Sequence, residues 1–165
     1  MAIPITQAIL NAIVTELQAI TIANGYRTNI EHVVAGKIVT REVAPSAWRN
    51  CFACVVYISE SFSRDEAADH VIESSPVYGI HISMDNTTSE EFLGVLDDIH
   101  NALELKPRLG SMLSTDIYGL LWVRLTSIDI SASPEFDEVV SDNDGPYMSR
   151  EGYLTLGTKV LKAYI

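Results

Sequence analysis

Apolar residues recur at helical spacing from the start of the chain. Ile9, Ile13, Leu17 and Ile20 form one stripe, widened by Leu10 and Val14. That period predicts an amphipathic helix over about residues 5–23. Pro4 suits its first turn, where a missing N–H costs nothing. Asn24-Gly25 supplies a left-handed stop. Tyr26 to Val34 then reads as extended, with Tyr26, Thr28, Ile30 and His32 on one side. Residues 35–50 carry irregular signals, among them Gly36, Pro45 and Ser46.

The run Phe52 to Ile58 is almost continuously apolar. Continuous rather than alternating hydrophobicity predicts a central strand over 51–59, buried on both faces. Residues 60–70 are polar and read as a connection. A strand follows from about Val71 to Met84, with Val77, Gly79 and His81 on one side and Tyr78, Ile80 and Ile82 on the other. Pro76 marks a bend or a missing ladder bond within it.

The second helix has the clearest local signature. Thr88-x-x-Glu91 matches a capping box, and Phe92, Val95, Leu96, Ile99 and Leu103 form one apolar face. Glu90, Glu91, Asp97, Asp98 and Asn101 fall largely off that face, and Lys106-Pro107 closes the helix. Two long strands, about 117–130 and 147–164, flank a segment rich in turn residues at 131–146.

Two helices with one apolar face each, among several strands, predict an α+β fold. Both helices pack on one face of a mostly antiparallel (mixed) sheet, within a single domain over 1–165. The length of the last two strands predicts a hairpin that projects and carries the 131–146 loop. Neither an internal repeat nor a low-complexity tract is visible.

Charge changes the picture more than composition does. Hydrophobic residues make up 47% and charged residues 20%, which argues against wholesale disorder. The formal net charge of −11 argues against sequence-independent coating of DNA or RNA. Four of the 11 basic residues, Arg27, Lys37, Arg41 and Arg49, fall in or just before the irregular segment. Residues 131–146 hold Glu135, Asp137, Glu138, Asp142 and Asp144 and no Lys or Arg. The cationic segment is either a solvated loop or a surface that meets an acidic neighbour. No stretch reaches the roughly 20 apolar residues that span a bilayer. The N-terminus lacks a basic region before its apolar residues, which predicts no signal peptide and a reducing cytoplasm.

Candidate chemistry is sparse. Cys51 and Cys54 form a lone Cys-x-x-Cys without a second pair, and His32, His70, His81 and His100 are scattered. On a strand two thiols three apart face opposite ways, so small packing residues are the favoured reading. Asp142-Asn-Asp-Gly145 opens like a calcium loop, but Pro146 breaks the alternation and Glu151 comes too early. Asp97, Asp98 and His100 sit on a helix, where adjacent carboxylates point about 100° apart and cannot converge, which leaves a solvated acidic face. No nucleophile elbow, zinc-protease helix or phosphate loop occurs. No catalytic, cofactor-binding or metal residue is therefore assigned. Trp122 reads as core. Trp48, beside Arg49, is either core or part of a protein contact.

The opening helix Ile5-Thr-Gln-Ala-Ile-Leu-Asn-Ala-Ile13, its exit Ala23-Asn-Gly-Tyr-Arg-Thr-Asn29, Val33-Val-Ala-Gly36, and Arg49-Asn-Cys-Phe52 leading into Val55-Val-Tyr57 resemble the phage tail terminators. These are the minor tail proteins that complete long non-contractile tails. The order of elements is similar over most of the chain, and the long 131–146 loop and the polar 60–70 connection depart from a compact terminator. The resemblance implies a structural protein of the virion neck, assembled in the host cytoplasm, with no catalysis. It implies a ring of identical copies, usually a hexamer. The ring would stack on the major tail tube protein, end tube growth and present its other face to the head–tail connector proteins. DNA would pass through the lumen without specific binding. Such a ring needs a heterologous interface. The candidate surfaces are the cationic side, Lys37, Arg41, Trp48 and Arg49, and the acidic side, Glu135, Asp137, Glu138, Asp142 and Asp144. The alternatives are another neck component, such as a head-completion protein, and a small enzyme of unrecognised class.

Overall fold

The computed structural model describes residues 3–64, 71–105, 120–131 and 148–163. Helix α1 spans Ile5–Gln18 and strand β1 His32–Ala35. Strand β2 spans Cys51–Arg64, β3 Val71–Thr87, helix α2 Ser89–His100, β4 Leu120–Ser131 and β5 Met148–Ala163. The five strands form one sheet in the order β1-β2-β3-β5-β4. Only β1 and β2 run parallel; the other pairs are antiparallel. The expected α+β fold, with two helices and a mixed, mostly antiparallel sheet, is what the chain adopts.

Helix α1 ends five residues before the expected position, and local polar groups explain why. Thr21 is extended, and its Oγ1 accepts from Asn24 N at 3.3 Å, starting a separate 3-10 turn at Ile22–Asn24. A β-branched residue with a local acceptor favours such a break. Asn24 Nδ2 donates to Ala19 O at 2.8 Å, closing the helix end, and Gly25 takes the left-handed conformation with φ 88°. Asn29 Oδ1 accepts from Ile22 N at 2.8 Å and pins the outgoing chain. The expected extended segment 26–34 is therefore strand only from His32.

One face of the sheet carries the core. Ile9, Leu10, Ile13 and Leu17 of α1 and Phe92, Val95, Leu96 and Ile99 of α2 pack on Ala53, Val55, Tyr78, Ile80, Ile82, Leu154, Leu156 and Val160. Each buried aliphatic side chain contributes about 1.5–3 kcal/mol. Tyr78 reaches through this layer and its Oη donates to Thr6 O at 2.8 Å. Gly152 lets α2 approach β5: a Cβ there would lie 3.2 Å from Phe92 Cζ. The capping box forms as predicted. Thr88 Oγ1 accepts from Glu91 N at 3.2 Å, and Glu91 Oε2 accepts from Thr88 N at 2.9 Å. Beyond His100 the helix continues as one π-helical turn, Asn101–Leu105.

Two expectations for the strands change. β2 does not stop at 59; Ser59 to Arg64 stay paired with Val77 to Ile72 of β3, so polar residues continue a ladder beyond the core. β4 and β5 pair as hairpin arms, but β5 lies between β3 and β4, so the described part is body of the sheet rather than a projection. The acidic loop itself lies outside the described residues. At Pro76 the β3–β5 register passes from Ser74↔Val160 to Val77↔Gly157, and Thr158 Oγ1 donates to Pro76 O at 2.8 Å. A side-chain bond thus takes the carbonyl where the ladder is interrupted.

Candidate interaction surface

The strand period places every second residue of β2–β5 on the face away from the helices. At one end this face is covered by the segment between β1 and β2. Phe52, Cys54 and Ala44 form a second small core there, with Val34, Val39 and Trp48 against it. The predicted double burial of β2 is therefore real over Cys51–Val55, but the two faces belong to different clusters.

The cationic segment is tied into its own chain. Arg41 pairs with Asp85, whose Oδ1 also accepts from Ser149 Oγ at 2.8 Å. Arg49 Nε donates to Ala44 O at 3.4 Å, and Arg49 O accepts from Asp85 N at 2.9 Å. Trp48 is half-buried and stacks on His32 with ring centroids 5.0 Å apart. Lys37, after the left-handed Gly36, is exposed. The structure thus gathers Arg41, Trp48 and Arg49 into the closure of the second core and leaves Lys37 outside it. Glu135, Asp137, Glu138, Asp142 and Asp144 lie outside the described residues.

Beyond that cover the outer face is open. Across the strands its rows run Val56–Gly79–Thr155–Ser127, and Val77–Gly157–Arg124. Strands lie about 4.8 Å apart, so β2 to β4 spans roughly 14 Å. Two bulge positions add bulk: Ile58 and Thr126 each interrupt a register. Each leans over a glycine of the next strand. A Cβ on Gly79 would lie 2.9 Å from Ile58 Cδ1, and one on Gly157 3.1 Å from Thr126 Cγ2. Ile58 is 55% exposed, Tyr153 40% and Leu161 37%. Trp122 is half-buried, with the Arg124 guanidinium 5.1 Å from its ring centroid. Trp122, expected in the core, instead stands on this face opposite Lys159, whose Nζ lies 2.5 Å from Glu73 Oε1. Bulges re-aim side chains, and the sequence pattern gave no sign of them.

Between the open part and the covered end sits His81, 3% exposed, against the rings of Phe52 and Tyr153. Its Nε2 is 3.8 Å from Glu151 Oε1, and Nδ1 has no hydrogen-bond partner. Burial pushes its pKa below the ordinary value, and the Glu151 carboxylate works against that shift.

The other candidates resolve as structural groups. Cys51 faces the main core and Cys54 the second one, so the thiols diverge as predicted. Burial pushes Cys51 up to about 12, with Glu31 adding to the shift. Burial also raises Cys54, and the Val39 N–H donated to its Sγ at 3.3 Å works against that. Asp97 and Asp98 diverge too, but Asp98 is not solvated. It is 4% exposed, and its Oδ2 accepts from Arg27 N at 2.8 Å, fastening α2 to the segment before β1. Asp97 is exposed, 3.8 Å from Arg27 Nη1. Among the described residues no group of three or more His, Cys, Asp or Glu is placed to hold a metal ion, and no helix is long and apolar enough to cross a membrane.

Fold and surface together define a two-layer α+β chain with one sheet face under helices and the other partly bare. No family model matches the chain, and no curated protein matches it in sequence.

Proposed function

We propose that the chain is a structural protein of the phage tail-terminator type: a ring of identical copies that caps the tail tube, ends its growth and offers a surface for head–tail joining. The resemblance of the opening helix and its Asn24-Gly25 exit suggests the family. One structural observation favours assembly. The outer sheet face leaves Ile58, Tyr153 and Leu161 exposed, and it also carries the half-buried Trp122 with the Arg124 guanidinium over its ring. Aromatic and arginine side chains on an apolar surface are the composition of protein contacts. With Arg41 and Arg49 engaged inside the chain, this face replaces the cationic segment as the leading contact surface.

Mass and shape test the reading together. The purified chain should scatter light as a closed oligomer and appear as rings in electron micrographs. Added to polymerising tail tube protein, it should sit at tube ends and shorten the tubes. A chain that stays monomeric at every concentration and leaves tube length unchanged would overturn it.

A further inference from the structure

Strand β4 ends the sheet, and among the described residues no strand pairs along its other side. From Thr126 to Ile130 every residue is exposed, so both faces of this stretch are bare. Ile128 is 41% exposed and Ile130 48%. A long edge with open backbone groups is a template for one more strand.

The bulge at Thr126 decides which residues of β4 share a side. Leu125 stands opposite Leu156 and Ile128 opposite Leu154, so both lie on the helix side although they are three positions apart. Val123 and Ile130, opposite Thr158 and Gly152, lie on that side too. Arg124 and Asp129, opposite Gly157 and Tyr153, lie together on the outer side. In an unbulged strand residues three or five apart would face opposite ways. The Arg124 guanidinium rests over Trp122, and Asp129 Oδ2 accepts a long bond from Ser127 Oγ at 3.5 Å. Among the described residues neither is held in an ion pair.

We propose that β4 pairs antiparallel with β4 of a second copy of this chain, about a two-fold axis between Thr126 and Ser127. Turning the strand about that point sets Leu125 against Ile128 of the other copy and Val123 against Ile130, all on the helix side. It sets Arg124 against Asp129 of the other copy on the outer side, and symmetry makes this pair twice. Opposite charges and apolar side chains directly across two strands stabilise their pairing, and like charges weaken it. A slip of one residue in either direction would set Arg124 against Ile128 or Ile130, from the wrong side of the sheet. The contact is isologous and closes at two copies. It joins the sheets edge to edge and leaves their outer faces open, so it does not rest on the ring reading.

Charge exchange tests the pairing on the full chain. Arg124→Asp sets carboxylate against carboxylate across the edge, and Asp129→Arg sets guanidinium against guanidinium. Both positions are exposed, and the thermal melt of each variant should still show a folded chain. Each alone should associate about tenfold more weakly than wild type in sedimentation velocity. An equimolar mixture should pair again, because each side of the mixed pair then sets an aspartate against an arginine. In the wild type, amides between Val123 and Ile130 should exchange hydrogen more slowly in concentrated than in dilute solution. Folded single variants that pair as well as wild type, a mixture that stays apart, or β4 amides whose exchange ignores concentration would each overturn the pairing. None of these results bears on tube length, which tests the ring separately.

Discussion

Single side chains decide matters here that no periodicity announces. His81 is the clearest case. Two rings and the second core hold it out of water, its Nδ1 is unpartnered, and burial lowers its pKa from the ordinary 6.5. Glu151 faces it from β5, and the buried Cys54 opposes it on β2. Above the ordinary value both folded and unfolded chains keep this imidazole neutral, and it contributes no pH dependence. As pH falls through 6.5 the unfolded chain binds a proton that the folded chain resists, so stability drops down to the depressed folded value. The urea midpoint should therefore be lower at about pH 5.5 than at about pH 7.5, and His81→Gln should flatten that difference. An unchanged pH dependence in the variant would show that the proton is taken up elsewhere. Asp98 teaches the complementary lesson. Its neighbour Asp97 is solvated, yet Asp98 is buried on the Arg27 amide, and only the position of the 26–30 segment distinguishes the two.

At the scale of elements, local signals determined type well and extent less well. The capping box of α2 was legible because both partners lie within four residues of each other, and it formed with both bonds. Replacing Thr88 by Ala removes the acceptor for Glu91 N, which should cost about 1 kcal/mol. A drop in melting temperature with an unchanged far-ultraviolet spectrum would report this, and a variant as stable as wild type would mean the box adds nothing here. The apolar stripe of α1 was equally plain, but its end was not. Thr21, Asn24 and Asn29 form side-chain bonds that compete with the last turn, and composition does not rank such bonds against helix propagation. The faces of β3 followed from alternation. The register did not: Ile58 and Thr126 interrupt it and lean over Gly79 and Gly157 of the neighbouring strands, contacts that alternation along one strand does not reveal. The insertion of β5 between β3 and β4 is likewise a long-range choice that strand composition leaves open.

For the whole molecule the same limit applies to the candidate surfaces. Lys37, Arg41 and Arg49 are close in sequence and form a cationic segment on paper, yet Asp85, which takes Arg41, is far away in the chain. The outer face joins residues from four strands and has no linear signature. Its assembly should respond to salt in two opposed ways. A net charge of −11 repels another copy over distances of tens of ångströms, and that repulsion is screened once the Debye length falls from about 30 Å at 0.01 M to about 8 Å at 0.15 M. A close charge contact made by Arg124 acts over a few ångströms in a partly dehydrated interface, where salt screens much less. Burial of the exposed Ile58, Tyr153 and Leu161 of this face is hardly weakened by salt at all. Long-range repulsion should therefore yield first. Association measured by sedimentation should strengthen between about 0.01 M and 0.15 M salt, then level off or decline gently towards about 1 M as the charge pairs lose strength. A steep, continuous fall from the lowest salt upward would instead mean that ion pairs alone hold the copies together, and the apolar side chains of the outer face would then have no part in the contact.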